Sequence, residues 1–338
     1  MSLRLLFKKK RTVKKGLVLM YHRIADTGFD PWSLCVSPSR FENQVKLLKN
    51  KYNVIGYQQL GEYFEGNSVK EDFILVTFDD GYLDNYETAA PILTKYNCPA
   101  IFFITSGAID RSRLFWWDVL EGIFLNRRTL PSTLNIQAGS INFSCNTETI
   151  AREEKLRLYN AYGAWLSFLK QLTDRQALFL KTWEYMRYLQ PELQQQMLGL
   201  LQEWSKLKKE EIPLPGIMNM QQLKQLSENT LFEIGGHTLS HPALAHFDKS
   251  IQEKETGTSI MQLEQWLGKK ITCYSYPFGS YNNETLQIIK GLGIKYAFTT
   301  KPESINKQLS PTELPRFLVK NLDTDAFDKA LKIWYAFD

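Results

Sequence analysis

The chain has 338 residues, of which 43% are hydrophobic and 23% are charged. This length and composition suit one large globular domain, or one domain with an insertion, and provide enough apolar residues for a sizeable core. The formal net charge of +5 is too small and too dispersed to indicate nucleic-acid binding.

The N-terminal segment is rich in lysine and arginine but has no apolar run of signal-peptide length before His22. Nor does any later segment approach the roughly 18 apolar residues of a membrane-spanning helix. We expect residues 1–15 to form a basic arm, as a solvated tail or in peripheral contact with an anionic membrane. The four cysteines lie far apart without a Cys-x-x-Cys pair. Together these features predict a location in the cytoplasm, or peripherally at the inner face of the membrane.

From residue 16 onward, strand-like apolar segments alternate with amphipathic helical segments, a pattern typical of parallel βα units. Strands are predicted at residues 16–21, 54–55, 73–78 and 100–105, and again from about residues 231, 272 and 296. Between about residues 109 and 215 the alternation gives way to long amphipathic helices, with a strand signal only at 134–143. The sequence therefore predicts an α/β protein, a distorted (β/α)7 barrel over residues 16–338 with a large, mainly helical insertion.

The segment FILVTFDDG, from Phe73 to Gly81, is an apolar run that ends in two adjacent carboxylates. In α/β folds, ligands bind at the C-terminal ends of parallel strands. Asp79 and Asp80 would repel each other if both were ionised in a dry site, so a cation or a shared proton is expected between them. The alternative is a strand that ends in an ordinary Asp-Gly turn.

A second segment, LFEIGGHTLSH, runs from Leu231 to His241 and ends in two histidines four positions apart. This spacing lets both imidazoles face one centre, and imidazole is the commonest metal ligand. One carboxylate, two imidazoles and an open fourth position form a typical catalytic zinc site. The same donors also suit Co²⁺, Ni²⁺ or Fe²⁺.

The motifs TFDDG at 77–81 and HTLSH at 237–241, in this order, resemble the first two motifs of the polysaccharide deacetylases, the carbohydrate esterases with a NodB-homology domain. The resemblance implies a barrel of the NodB-homology type and a divalent metal cofactor. It also implies that Asp79 is the catalytic base and that the metal ligands are Asp80, His237 and His241.

Two later segments match the family only in part. TCYSYPFGSY, at 272–281, resembles the third motif, but Ser275 stands where the family has an arginine that pairs with the base. ELPRF, at 313–317, corresponds to the fifth motif without its histidine, and Arg316 is a candidate to replace the missing arginine beside Asp79. A backbone amide near Phe278 is expected to stabilise an oxyanion. The candidate residues for that role are Tyr276, Pro277, Phe278 and Gly279.

His22 is a candidate for the general acid that the fifth motif lacks. It follows the first strand, which neighbours the last strand in a closed barrel. The related poly-N-acetylglucosamine deacetylases show a similar Tyr-His pair at this place. The alternative is a histidine whose ring nitrogens are bonded to the barrel backbone.

The resemblance implies a metal-dependent hydrolase that removes an N-acetyl group from an amino sugar of a polysaccharide or lipid-linked glycan precursor, and the chemistry fits the residues. The expected partner is that glycan, and not a nucleic acid. A catalytically silent glycan-binding or scaffold protein on the same fold is the alternative, favoured by the incomplete third and fifth motifs. The opening of the insertion, at Trp116, Trp117 and Asp118, could present aromatic faces to a sugar, although core packing is the commoner use of tryptophan.

Overall fold

The computed structural model describes residues 14–27, 30–66, 71–110, 115–125, 130–146, 174–206 and 215–336. Most of the basic arm, residues 1–13, lies outside the described residues, so its contact with a membrane and the cytoplasmic location stay predictions. Within the described ranges, no helix has the length and apolar character that crossing a bilayer requires.

Eleven strands are found in the described part of the chain, and we number them in chain order. They are β1 (Gly16–Tyr21), β2 (Arg23–Ile24), β3 (Cys35–Val36), β4 (Phe73–Phe78), β5 (Ala100–Ile104), β6 (Thr133–Ala138), β7 (Ile141–Asn146), β8 (Phe232–Gly236), β9 (Cys273–Ser275), β10 (Tyr296–Phe298) and β11 (Phe317–Leu318). Seven of them form one curled parallel sheet in the order β10, β9, β8, β5, β4, β1, β11. Every residue of β1 and β4 is buried, as expected for strands with both faces covered.

Helices connect most of these strands. In the ranges that the structure describes, the α-helices are α1 (Pro38–Lys51), α2 (Tyr57–Glu65), α3 (Ala90–Lys95), α4 (Trp116–Phe124), α5 (Asp174–Arg187), α6 (Pro191–Ser205), α7 (Met220–Glu228), α8 (Lys249–Leu267), α9 (Asn283–Gly291) and α10 (Thr324–Ala336). Local sequence sets several of their starts. Proline occupies the first turn of α1 and of α6, where its missing N–H has no helical partner to lose. The side chain of Asn219 caps α7 by accepting from the Gln222 amide.

The predicted α/β class is confirmed, with one correction to the strand set. The predicted strand at 54–55 is wrong, since Val54 makes only an isolated bridge to Ile74. The seventh strand of the sheet is instead β11, which pairs with β1 through Phe317 and Leu19. The first and last strands are therefore neighbours, as predicted. Leu314, just before β11, also bridges Phe298 of β10, so this segment connects the two edges of the sheet.

The segment predicted as an insertion contains α4, the antiparallel hairpin β6–β7, α5 and α6. Apolar side chains of these elements form a hydrophobic cluster of their own, distinct from the clusters that pack against the seven-stranded sheet. Tyr82, Ile217 and Phe278, which lie outside those elements, pack into the cluster as well. Tyr82 and Phe278 each follow the C-terminal end of a strand of the sheet, so the insertion packs against that end.

Candidate functional site

Asp79 and Asp80 lie at the C-terminal end of β4, and each is only 3% exposed. The amide of Asp79 continues the sheet by donating to the Tyr21 carbonyl (3.0 Å). Asp80 then adopts a φ of 78°, a left-handed conformation that is uncommon for residues other than glycine. Backbone strain of this kind concentrates at functional sites. Here it accompanies adjacent carboxylates that contact different partners.

Asp80, His237 and His241 form a buried triad whose donor atoms lie within 4.8 Å of one another. Oδ1 of Asp80 lies 3.5 Å from Nε2 of His237 and 3.4 Å from Nε2 of His241. Within the described residues this oxygen is buried and has no hydrogen-bond partner. Nδ1 of His237 lies 2.8 Å from the Ser275 carbonyl oxygen, and donating to it leaves the Nε2 lone pair facing Asp80. A divalent cation fits these three donors.

The electrostatics of the triad also favour a cation. Burial lowers the pKa of His241 to about 3, which keeps this imidazole neutral, as a metal ligand must be. Burial would lower the pKa of His237 too, but the charges of Asp79 and Asp80 raise it above its ordinary value. The two carboxylates thus attract positive charge to the centre of the site.

The loop that carries both histidines is held against the end of β5. The amides of Ser106 and Gly107 donate to the carbonyls of Thr238 and Leu239 at 3.1 and 2.9 Å. A Cβ at Gly107 would clash with the Leu239 carbonyl oxygen, so this approach requires glycine. The Thr238 hydroxyl accepts from the His241 amide (2.8 Å), which fixes the turn that brings His241 back to Asp80.

Asp79 pairs with Arg316 in a bidentate fork, with both N–O distances 2.7 Å. Arg316 is fully buried and is oriented by the Thr299 carbonyl (2.9 Å) and the Ser275 hydroxyl (2.7 Å). Ser275 also donates to Asp79 (3.2 Å). Burial alone would raise the pKa of Asp79, but the charge of Arg316 holds it below its usual range. The arginine that the third motif lacks is thus replaced in space by Arg316.

His22 lines the same cavity as Asp79 and the triad. Its Nδ1 is buried and has no hydrogen-bond partner within the described residues, so the barrel backbone does not hold this nitrogen. Burial lowers the pKa of the imidazole below its ordinary value, although the charges of Asp80 and Asp79 oppose the shift. Of the histidines that line the cavity, His22 and His241 each have an Nδ1 without a hydrogen-bond partner in the described part of the chain.

The candidate oxyanion residues occupy the turn after β9, and three of the four cannot donate from the backbone. The Tyr276 amide donates to the Phe298 carbonyl (3.1 Å), the Gly279 amide donates to the Tyr276 carbonyl (2.8 Å), and Pro277 has no N–H. Phe278 has a left-handed φ of 56° and lines the cavity. The structure therefore leaves the Phe278 amide as the candidate donor of this turn.

The cavity has a volume of about 250 Å³ and is walled by aromatic rings from Trp32, Trp117, Trp183 and Phe278. Trp117 lies 4.7 Å from the His241 ring between centroids. Its Nε1 donates to the Tyr82 hydroxyl (2.9 Å), which in turn donates to Asp118 (3.1 Å). Within the WWD motif, Trp117 thus faces the site, whereas Trp116 packs in the core of the insertion.

Sequence reasoning missed Trp32 and Trp183. Trp32 lies in the connection between β2 and β3, which has no motif, and Trp183 lies on an amphipathic helix whose aromatic residues look like core residues. Their aromatic character was the only available signal.

Comparison with known proteins identifies the family of this chain. The family model for polysaccharide deacetylase matches residues 66–130 and 161–297, more than half of the chain. The poly-beta-1,6-N-acetyl-D-glucosamine N-deacetylase of Staphylococcus aureus is 22% identical over 343 aligned residues, which cover 98% of this chain and 86% of the relative. The enzyme of the same name from Staphylococcus epidermidis is 28% identical over 130 residues, covering 36% of this chain and 44% of the relative.

Solved structures share the fold. The deacetylase PplD of Streptococcus pyogenes, in complex with acetate, superposes with a TM-score of 0.58 at 18% identity, covering 96% of this chain and 99% of that one. IcaB from Ammonifex degensii superposes with a TM-score of 0.55 at 17% identity, covering 94% and 96%. The family model includes both the β4 end with Asp79 and Asp80 and the loop with His237 and His241. The chain therefore belongs to the polysaccharide deacetylase family, and the prediction of a carbohydrate N-deacetylase is confirmed at the level of that family.

Proposed function

We propose that this protein is a metal-dependent hydrolase that removes the N-acetyl group of an amino sugar in a glycan. The proposal rests on the observation that two adjacent carboxylates have different partners. Asp79 pairs with a permanent cation, Arg316, whereas Asp80 faces two imidazole Nε2 atoms. One carboxylate is thus available as a base, and the other is available as a ligand.

Asp80, His237 and His241 would hold the divalent ion, and the choice of donors favours Zn²⁺. When bound, such an ion polarises the amide carbonyl and lowers the pKa of a water molecule. Asp79 accepts a proton from the attacking water, and the fork with Arg316 fixes the direction of its carboxylate. The Phe278 amide donates a hydrogen bond to the oxygen of the amide as negative charge develops on it.

His22 completes the reaction as general acid. Collapse of the tetrahedral intermediate breaks the C–N bond, and the departing nitrogen needs a proton to leave as an amine. His22 lines the cavity, and its Nδ1 has no hydrogen-bond partner within the described residues. Acetate and the free amino sugar are the products, so one water is consumed for each amide cleaved.

The substrate class follows from the relatives, whose names specify poly-beta-1,6-N-acetyl-D-glucosamine. For this chain we propose an amino-sugar glycan, free or attached to a lipid carrier. The aromatic walls of the cavity support this choice, because the axial C–H groups of a sugar ring pack well on aromatic faces.

Release of acetate or formate from a panel of amino-sugar oligomers, polymers and lipid-linked sugars tests the proposal. The chelator-treated protein should be inactive, and added Zn²⁺ should restore acetate release. Stoichiometric metal binding without release of any acyl group would instead support a catalytically silent glycan-binding protein.

A further inference from the structure

The insertion supplies a side chain to the wall of the cavity that holds the candidate site. Trp183 lies on α5 and lines the cavity with Asp79. Its ring centroid is 4.6 Å from that of Trp32 and 5.8 Å from that of Phe278. Both of these rings line the cavity as well, so the three aromatic residues form a continuous series that we call the aromatic bridge.

The aromatic bridge joins two sides of the site. Trp32 belongs to the connection that follows β1 and β2, whereas Phe278 follows β9. In the sheet, β4 and β8 lie between β1 and β9, and these two strands lead into the residues of the triad. The ring of Trp183 therefore connects the flanks of the catalytic centre.

Arg187, one helical turn beyond Trp183, holds the aromatic bridge in place. Its guanidinium carbon lies 4.5 Å from the Phe278 centroid and 5.3 Å from the Trp183 centroid. A guanidinium over aromatic faces at such distances is attracted by the ring electrons. The bridge is thus a packed and charge-stabilised feature of the fold.

The size of the cavity also indicates how much of a glycan it can hold. Its volume of about 250 Å³ is below the range of roughly 300–1,000 Å³ found for pockets that bury drug-sized ligands. One sugar residue with its acetamido group matches this space better than several consecutive residues do. A residue inside a long glycan has neighbours on two sides, and both neighbours would need room beside the aromatic residues that line the cavity.

We propose that Trp183 is a specificity-determining residue that forms one wall of the cavity and restricts deacetylation to residues at the end of a glycan. This inference rests on the proposed deacetylase function and adds a substrate class to it. The substrate is a terminal amino-sugar residue, and residues in the interior of a polymer are excluded.

Positional analysis of the products tests the inference. The probes are the dimer and the hexamer of β-1,6-linked N-acetylglucosamine, labelled at the reducing end and treated with Zn²⁺-loaded protein. Tandem mass spectrometry then locates each free amine. Wild-type protein should deacetylate a chain end of both oligomers with similar kcat/KM.

Trp183→Ala should lower kcat/KM for the dimer about tenfold, as expected for the loss of an aromatic wall contact with the sugar, and should produce free amines inside the hexamer. Trp183→Phe should keep the wild-type pattern because an aromatic ring remains. Trp204→Ala is the matched control, since Trp204 lies on α6 of the same insertion, donates to the Thr133 carbonyl and does not line the cavity.

Deacetylation of internal residues by the wild-type protein would overturn the inference and leave the deacetylase function standing, whether or not any variant folds. A product pattern of Trp183→Ala identical to that of wild type would do the same. Absence of acetate release from every amino sugar by the metal-loaded protein would overturn the proposed function itself, and the inference with it.

Discussion

Asp79 and Asp80 are adjacent in the chain, yet their carboxylates face different partners: Arg316 in one case and two imidazoles in the other. The charge of Arg316 holds the pKa of the Asp79 carboxyl below its usual range, so Asp79 is an anion. Asp80 faces two imidazoles, of which His241 is kept neutral by burial, so a metal ion can supply the positive charge at this carboxylate. The left-handed φ of Asp80 accompanies this separation of two neighbouring side chains.

We expect Asp79→Asn and Asp80→Asn to have different effects on metal content. Asp79→Asn should keep the metal and lose acetate release, because it removes the base without touching the three donors. Asp80→Asn should lose both, because it removes the central ligand. Elemental analysis of the purified proteins, together with acetate release, measures the two effects. Equal loss of metal in the two variants would refute the separation of roles.

Arg316→Met should move the acidic limb of the pH–rate profile to higher pH. The variant deletes the charge that holds the pKa of Asp79 below its usual range, while burial, which raises that pKa, remains. Since the base acts as an anion, activity is then lost at a pH where the wild type still works. Arg316→Lys keeps the charge without the fork, so a smaller displacement is expected. An unmoved acidic limb in a folded Arg316→Met protein would leave Arg316 with a structural role only.

His22→Gln should lower the rate of amide cleavage by about 10²- to 10⁴-fold, the usual effect of removing a positioned general acid. Metal content and fold should not change, because His22 contributes no atom to the triad. An activated ester should be less affected than the amide, because its leaving group needs less protonation. Comparison of kcat for the two substrates gives the test, and wild-type turnover of the amide by the variant would rule out the role.

At the scale of the elements, apolar strands with polar residues at their C-terminal ends were sufficient to predict β1, β4, β5 and β8. The strand β11 was missed because two residues carry no periodicity, and its pairing with β1 depends on the tertiary fold. Val54 and Ile55 are apolar but form no ladder.

The position of Arg316 beside Asp79 could be proposed from the sequence because the third motif lacks its arginine. The positions of Trp32 and Trp183 could not be proposed, because aromatic residues on loops and amphipathic helices look alike in sequence whether they line a site or a core.

The contact between the end of β5 and the histidine loop predicts that Gly107 cannot be replaced by alanine without loss of stability. Gly107→Ala places a methyl group against the Leu239 carbonyl, and such overpacking typically destabilises a protein by about 1–3 kcal/mol. Because Leu239 lies between the two histidines, metal affinity should fall as well. Gly257→Ala is the control, since it lies in α8 with open space around the new methyl and should be neutral or stabilising by up to about 1 kcal/mol. Unfolding midpoints and metal titration measure both effects, and wild-type metal affinity in Gly107→Ala would contradict the argument.

At the scale of the whole molecule, the site is assembled from segments far apart in the chain. Asp79 and Asp80 precede the insertion, whereas both histidines and Arg316 follow it, and Trp117 and Trp183 belong to it. The motifs were enough to predict that Asp79, Asp80 and the two histidines lie close together, since strand ends converge in any parallel sheet. They could not predict which residues of the insertion line the site, because the packing of a helical segment on a barrel depends on the complementary surfaces of both.

The same assembly means that a bound ion should stabilise the entire fold. An ion that binds only the native state raises the free energy of unfolding by about 2.7 kcal/mol when its free concentration is about 100 times the dissociation constant. Thermal unfolding of chelator-treated protein, with and without added Zn²⁺, should therefore show a rise of several degrees in Tm. His241→Asn should lose this rise because it removes a donor from the triad. His246→Asn should keep it, since His246 is exposed and packs on Tyr188 at 4.3 Å between ring centroids. Equal rises in the two histidine variants would mean that the ion binds at another place in the chain.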